Sequence, residues 1–308
     1  MGILIGLEQV SHEWPGKQVL VRQTIGINEG ERIGIVGRNG DGKSTLLGLV
    51  ARDLDPDGGT ITYRNNITVG MIGQEDHLRD EDTVCHAVVG DTPEYLWASD
   101  PNVRAIIGEL LVDINWNGLV GELSGGQRRR ADLARVLVGD WDVLLMDEPT
   151  NHLDLHAIRW LAGHLKGRWQ AGQGALLVVT HDRWFLDQTV DHICALHRTG
   201  MHVERGNYSS YAENKARQDA FEIERNERLQ TDIRRLTETA REKAAWSDRV
   251  EKTKIGGHTY DRGAVGHKAA KMMKRSLAIE RRTEAMLEEA QAYFHNRTNA
   301  ITSYAGSA

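Results

Sequence analysis

The spacing of apolar residues changes character along this chain, and each change marks a different kind of element. Residues 3–10 and 17–27 are apolar-rich and β-branched and flank a turn at Trp14-Pro15-Gly16, which predicts two strands. Arg32-Ile33-Gly34-Ile35-Val36 reads as a short buried strand, and Leu46-Leu47-Gly48-Leu49-Val50 continues as an apolar helix. Past a turn at Asp55-Pro56-Asp57-Gly58-Gly59, short strands are expected at 59–63 and 67–72. Residues 82–120 look mostly helical, with Val84, Ala87 and Val88 on one face and Ile106, Ile107, Leu110 and Leu111 on another. Breaks are expected near Pro93 and Pro101. A helix through Ala131–Leu137, a fully apolar strand at 143–148 ending in two acids, a helix over 155–166 and an apolar strand at 175–180 follow. Strands alternating with helices predict an α/β domain whose mostly parallel sheet offers ligands the carboxyl ends of its strands.

After Tyr208 the period becomes helical. Leu229, Ile233, Leu236, Ala240, Ser247 and Val250 follow steps of four and three, with Lys243 interrupting. On a return side Met272, Ile279, Met286 and Tyr293 recur every seven residues, beside a row of small residues at Ala269, Ser276, Thr283 and Ala290. Two heptad-like segments predict an antiparallel α-helical hairpin. Its tip is the glycine-rich stretch from Gly256-Gly257-His258 to Gly263-Ala264-Val265-Gly266. The expected organisation is an α/β domain over 1–207 with a helical subdomain at about 82–138, a hairpin over 208–295, and an irregular tail at 296–308.

Composition narrows the class. Hydrophobic content of 40% and charged content of 27% suit a globular protein, and 308 residues leave room for one large domain with an appendage. No run approaches the roughly 18 apolar residues of a membrane span. The start lacks a basic segment and a cleavage site, so no signal peptide is expected. Cys85 and Cys194 supply neither a disulfide framework nor metal-ligand spacing. A reduced, cytoplasmic setting is expected. The net charge of −6 conceals an asymmetry: residues 241–282 hold twelve Lys/Arg against five Asp/Glu. A basic segment on an acidic body predicts an appendage that faces a polyanion.

The candidate chemistry centres on Gly37-Arg38-Asn39-Gly40-Asp41-Gly42-Lys43-Ser44-Thr45, which fits G-x-x-x-x-G-K-[ST] between a strand and a helix. Glycines let the backbone approach phosphates, and the new helix aims free N–H groups and its positive dipole end at the anion. Lys43 is placed to reach the β- and γ-phosphates, and the Ser44 hydroxyl to ligate Mg²⁺. A glycine turn that binds nothing is the alternative, and the strand–loop–helix context weighs against it. Leu123-Ser124-Gly125-Gly126-Gln127 opens a second anion-receptive helix and runs into Arg128-Arg129-Arg130. Trp14 can stack on adenine or simply pack a sheet edge.

Five segments in this order resemble the ATP-binding cassette ATPases, and specifically their ABC-F branch. They are the loop at 37–45, Gln74, Leu123-Ser124-Gly125-Gly126-Gln127, Asp147-Glu148-Pro149-Thr150-Asn151-His152-Leu153-Asp154, and His181. The resemblance implies an ATP-binding cassette domain that uses ATP and Mg²⁺. Asp147 would hold Mg²⁺ with Ser44, and Gln74 would sense Mg²⁺ and the γ-phosphate. Glu148 would polarise the attacking water, and His181 would donate a hydrogen bond to the γ-phosphate. Taken singly, Glu148 reads equally as a solvated acid and His181 as a loop histidine. Trp14 falls where the family carries its adenine-stacking aromatic. Ser124, Gly125, Gly126 and Gln127 would serve the nucleotide of a second cassette, supplied in trans or by a homodimer. Asp41 departs from the small residue common at its position, and an added carboxylate beside phosphates predicts reduced affinity.

Gly206-Asn207-Tyr208-Ser209-Ser210-Tyr211 resembles the ABC-F exit into the linker, the hairpin that enters the ribosome near the tRNA sites. Lys252, Lys254, Arg262, Lys268, Lys271, Lys274, Arg275, Arg281 and Arg282 crowd the tip and returning helix. A solvated helix surface is the bland reading. Weak balancing by Glu251, Asp261 and Glu280 favours phosphate-backbone binding, with Lys268, Lys271, Lys274 and Arg275 as RNA-contact candidates. The stretch 268–275 looks most like linkers of the antibiotic-resistance, ribosome-protecting members. ABC-F proteins usually carry a second cassette after the linker, and no second phosphate loop is visible before Ala308. The expectation is a truncated or frameshifted product, with half of a split protein or a self-pairing protein as the alternatives. The function expected is an ATPase acting on the ribosome rRNA and tRNA, without membrane contact. A transporter's ATPase subunit and an inactive ATP-binding fragment are the competing readings.

Overall fold

The computed structural model describes residues 2–169, 172–197 and 200–254, with the isolated helical positions 274, 278, 281, 282 and 285. Contacts separate two units, Met1–Glu213 and Asn214–Ala308. In the first, β1 (Ile3–Trp14), β2 (Lys17–Asn28) and β3 (Arg32–Val36) lead into α1 (Lys43–Ala51). Next come β4 (Gly58–Tyr63), β5 (Val69–Ile72), α2 (Val84–Val89), α3 (Glu94–Trp97) and α4 (Pro101–Leu110). Then α5 (Gly125–Val138), β6 (Val143–Asp147), α6 (Leu155–Gly167) and β7 (Ala175–Val179) alternate. They are followed by α7 (Arg183–Thr189), β8 (His192–His197) and β9 (Gly200–Arg205).

Two sheets form. A three-stranded antiparallel sheet has the order β2-β1-β4, and a six-stranded sheet runs β5-β6-β7-β3-β8-β9. In the larger sheet every pairing is parallel except β8 with β9. β6 and β7 are buried along their whole length, as expected for parallel strands covered on both faces. Their side chains alternate between two cores. Leu144, Met146, Leu176 and Val178 pack with Leu133, Leu161 and Phe185 of α5, α6 and α7. Val143, Leu145, Leu177 and Val179 pack with Leu46, Leu47 and Leu49 of α1 and with Leu4, Leu7 and Leu20 of the antiparallel sheet. The layering sandwiches the larger sheet and leaves the carboxyl ends of β3, β5, β6 and β7 free to build a site.

The stretch 82–120 differs from the mostly helical expectation. It holds three short helices joined by turns, and Thr83 and Leu119 form an isolated bridge. The breaks expected near Pro93 and Pro101 are present: Pro93 immediately precedes α3 and Pro101 is the first residue of α4, since proline suits the first positions of a helix. Gly90 ends α2 at φ +60, and Gly118 and Asn115 close a turn. β1 also runs on to Trp14, paired with Lys17, so the predicted hairpin turn is only Pro15-Gly16.

In the second unit the described chain is the continuation of α8 (Tyr208–Lys254), one helix of 47 residues. Leu229, Ile233 and Leu236 of the expected stripe are partly shielded, as are Asn226, Thr237 and Thr239, while the other described side chains from Phe221 to Thr239 are exposed. Side chains of Ala240, Lys243, Ser247, Val250, Lys252 and Lys254 lie outside the described set. So do the expected tip at 256–266, the return-side rows, Lys268, Lys271, Arg275 and the tail at 296–308. Lys274 is described as an exposed helical position.

Candidate nucleotide-binding site

The loop between β3 and α1 has the backbone its glycines predict. Gly40 and Gly42 sit at φ +84 and +96, in the region that L side chains rarely adopt. A Cβ on Gly42 would meet Val19 Cγ1 at 2.5 Å, and one on Gly37 would meet the Leu196 carbonyl oxygen at 2.7 Å. α1 starts at Lys43 without a side-chain cap, whereas α5, α6 and α7 are capped by Ser124, Asp154 and Asp182. Its first N–H groups are therefore left for an anion. Lys43 folds back over the loop, its ammonium donating to the carbonyls of Gly37 at 3.0 Å and Arg38 at 2.9 Å. Burial lowers the Lys43 pKa, while the carboxylates of Asp41, Glu148 and Asp147 pull the other way. The Asp41 carboxylate accepts the Arg38 backbone N–H at 2.8 Å, so the unusual acid is tied into the loop itself. Asn39 and Gly40 are exposed at the rim, and Lys17 Nζ lies 3.0 Å from where a Gly40 Cβ would stand.

Trp14 stands beside this loop. Its indole N–H donates to Thr45 Oγ1 at 3.2 Å, and it meets His12 edge to face while remaining 45% exposed. The carboxyl ends of β5, β6 and β7 bring the other predicted residues. Gln74 Nε2 donates to Ser44 Oγ at 3.2 Å. Asp147 is 1% exposed, and neither carboxylate oxygen has a hydrogen-bond partner among the described residues. A buried carboxylate in that state is costly unless a cation completes it. The exposed Ser44 hydroxyl and the unpartnered Asp147 carboxylate are hard oxygen donors of the kind Mg²⁺ takes.

Glu148 is held from several sides. Its backbone N–H donates to the Val179 carbonyl at 2.8 Å, and its φ of 50 lies in the left-handed region. Its carboxylate accepts the His181 backbone N–H at 3.3 Å and lies 3.5 Å from His181 Nε2. His181 is largely exposed and Glu148 largely shielded. Ser124 and Gln127 form a reciprocal capping box on α5, with Ser124 and Gly125 exposed and Gly126 beside His152.

The sequence showed the arginine run but not its use. Arg128 Nε donates to both Asp76 oxygens at 2.9 and 2.8 Å and its Nη2 to the Leu78 carbonyl at 2.8 Å, with a further bond to Asp80. The bonded guanidinium holds the Asp76 carboxyl below its ordinary pKa. Arg129 donates to the Gly73 carbonyl and, at 2.9 Å, to the Asp147 carbonyl. A signal was present: three cations in the first turns of a helix oppose its dipole and call for strong partners.

The family described as ABC transporter matches residues 20–151. ATP-binding protein Uup of Buchnera aphidicola subsp. Acyrthosiphon pisum is 33% identical over 230 residues, 72% of this chain and 37% of that protein. Energy-dependent translational throttle protein EttA of Mycobacterium tuberculosis is 34% identical over 258 residues, 72% of this chain and 45% of that protein. The chain thus spans less than half the length of these relatives. A solved ATP-binding subunit of an ABC transporter superposes with a TM-score of 0.59 at 19% identity, covering 69% of this chain and 93% of its own, which shows the fold. Among the described residues no helix is long and apolar enough to cross a membrane. Fold, loop geometry and relatives agree: the chain belongs to the ATP-binding cassette family, and its relatives are those of an ABC-F cassette.

Proposed function

We propose that this protein is a cytoplasmic, ATP-driven factor that acts on the ribosome. Its organisation is a cassette over residues 1–207 carrying a basic helical hairpin over 208–295. One observation carries the reading: α8 starts at Tyr208 within the first unit and continues as one helix to Lys254, into the segment 241–282 with its twelve basic and five acidic residues. A relative that bears the name of a translational throttle supports it. Trp14 stacks the adenine, and Gly37–Thr45 cradle the phosphates. Ser44 and Asp147, with Gln74 beside them, hold Mg²⁺, which when bound offsets phosphate charge and draws off electron density from the leaving oxygen. The Glu148 carboxylate accepts a proton from the attacking water, and His181 donates to the γ-phosphate. Ser124 to Gln127 serve the nucleotide of a facing cassette, on a second copy or another chain.

ATP is then the differential ligand of a two-state switch: it favours the paired form that presents the hairpin, and hydrolysis releases it. Lys268, Lys271, Lys274 and Arg275 contact ribosomal RNA or tRNA, with binding that weakens steeply as salt rises. Relief of an antibiotic is the narrower role for which the 268–275 stretch argues. Co-sedimentation of the Glu148→Gln chain with ribosomes in ATP and in ADP tests the reading. Binding in ATP that is lost on neutralising Lys271, Lys274 and Arg275 is expected. No binding in ATP at low salt by a paired form refutes ribosome action, and co-purification with a membrane-spanning partner would replace it with transport.

A further inference from the structure

The geometry points to Arg129 as a positioning residue that sets Gln74 and Glu148 together, by holding the two peptide groups from which those side chains depart. The inference rests on the proposed roles of Gln74, Asp147 and Glu148. β5 and β6 are neighbours, with Ile72 opposite Met146, and their carboxyl ends release Gly73-Gln74 and Asp147-Glu148 side by side. The carbonyl of Gly73 belongs to the peptide that begins Gln74, and the carbonyl of Asp147 to the peptide that begins Glu148. One guanidinium of α5 donates to both, Nη1 to Gly73 and Nη2 to Asp147.

Three features make this more than a helix tie. Glu148 sits at φ 50, a conformation that persists only where the surroundings fix it, and the Arg129 bond falls on the peptide immediately before it. A planar fork with fixed donor spacing can hold two carbonyls in one geometry, which a flexible ammonium cannot. Arg129 is also the member of the 128–130 run with no hydrogen-bonded carboxylate partner among the described residues: Arg128 takes Asp76 and Asp80, and Arg130 takes Asp113. Its cation is spent on main-chain carbonyls at the strand ends. Burial lowers its pKa, a cost set against these two bonds and the nearby acids. Because the same helix starts at Ser124, a shift of α5 moves both peptides at once.

The test uses the full chain and a fluorescent ATP analogue, with dissociation constants measured in EDTA and in excess Mg²⁺. Arg129→Gln is expected to leave binding in EDTA within about twofold of the parent, since Lys43 and the loop are untouched. The gain in affinity on adding Mg²⁺ should fall at least about fivefold, and Arg129→Lys should fall between. The control is Arg168→Gln, which removes another partly buried guanidinium bound to two carbonyls, those of Leu137 and Gly139. It should lower the unfolding midpoint and leave the Mg²⁺ gain unchanged. Should Arg129→Gln fail to fold, Arg129→Lys keeps the cation and carries the comparison. An unchanged Mg²⁺ gain in a folded Arg129 variant, or an equal loss in Arg168→Gln, overturns the inference. Absence of any Mg²⁺ gain in the parent protein overturns instead the metal-binding role given to Ser44, Gln74 and Asp147.

Discussion

Replacing Asp147 by Asn should stabilise the nucleotide-free protein and remove most of the stabilisation that MgATP provides. The carboxylate is 1% exposed and both its oxygens lack hydrogen-bond partners among the described residues. An unsatisfied buried polar group costs about 1–3 kcal/mol, and a charged one more. Part of that is offset by Lys43, whose ammonium feels the Asp147 charge. The isosteric neutral amide should therefore recover about 1 kcal/mol without ligand, or about 2–4 °C in midpoint for a unit of this size. MgATP at one hundred times its dissociation constant adds about 2.7 kcal/mol, which is about 5–10 °C. Thermal unfolding with and without MgATP should thus show an inversion, the variant melting higher alone and lower with ligand. A variant that melts lower without ligand refutes the frustrated carboxylate. An equal MgATP shift in both proteins refutes the metal role.

Other features of the fold give independent tests. Arg128→Met removes charge-assisted bonds to Asp76 and Asp80 and should cost about 1.5–3 kcal/mol, seen as a lower urea midpoint at unchanged slope. His164 is stacked on Trp160, and burial with the nearby Arg168 charge pushes its pKa down to about 4. The unfolded chain takes up that proton first, near pH 6.5. Stability is therefore intact above that pH and withdrawn as pH falls toward 4, and His164→Phe should flatten the melting profile across that window. Burial pushes the Cys194 thiol up to about 12 and raises that of the half-buried Cys85. A thiol reagent should label Cys85 slowly and Cys194 only after unfolding; rapid labelling of both in the native state contradicts this packing.

The parts of the site that were legible are those written locally. Gly37 to Thr45 spell a strand–loop–helix whose glycines, lysine and serine each have a backbone or phosphate reason, and the structure builds that loop. The apolar runs of β6 and β7 were equally plain because strands buried on both faces carry no polar alternation. Gln74 and His181 entered only through resemblance, since a lone glutamine or histidine has no local signature. Arg128 and Arg129 stayed obscure because their partners are remote, at separations of 52 and 56 residues. α7, β8 and β9 were missed for a different reason. α7 has only seven residues, too few for a clear helical period, and β9 is a half-exposed edge strand with mixed polarity. In the 82–120 stretch the buried faces and the breaks near the prolines were legible but the helix ends were not, because apolar spacing predicts which face is buried better than where short helices stop.

Calorimetric titration of the chain with MgATP, beside Lys43→Ala, tests the nucleotide site most directly. The account predicts one saturable site per chain, lost or weakened at least about a hundredfold when the Lys43 ammonium is removed. Binding that survives Lys43→Ala unchanged, or no binding by the parent chain, contradicts it.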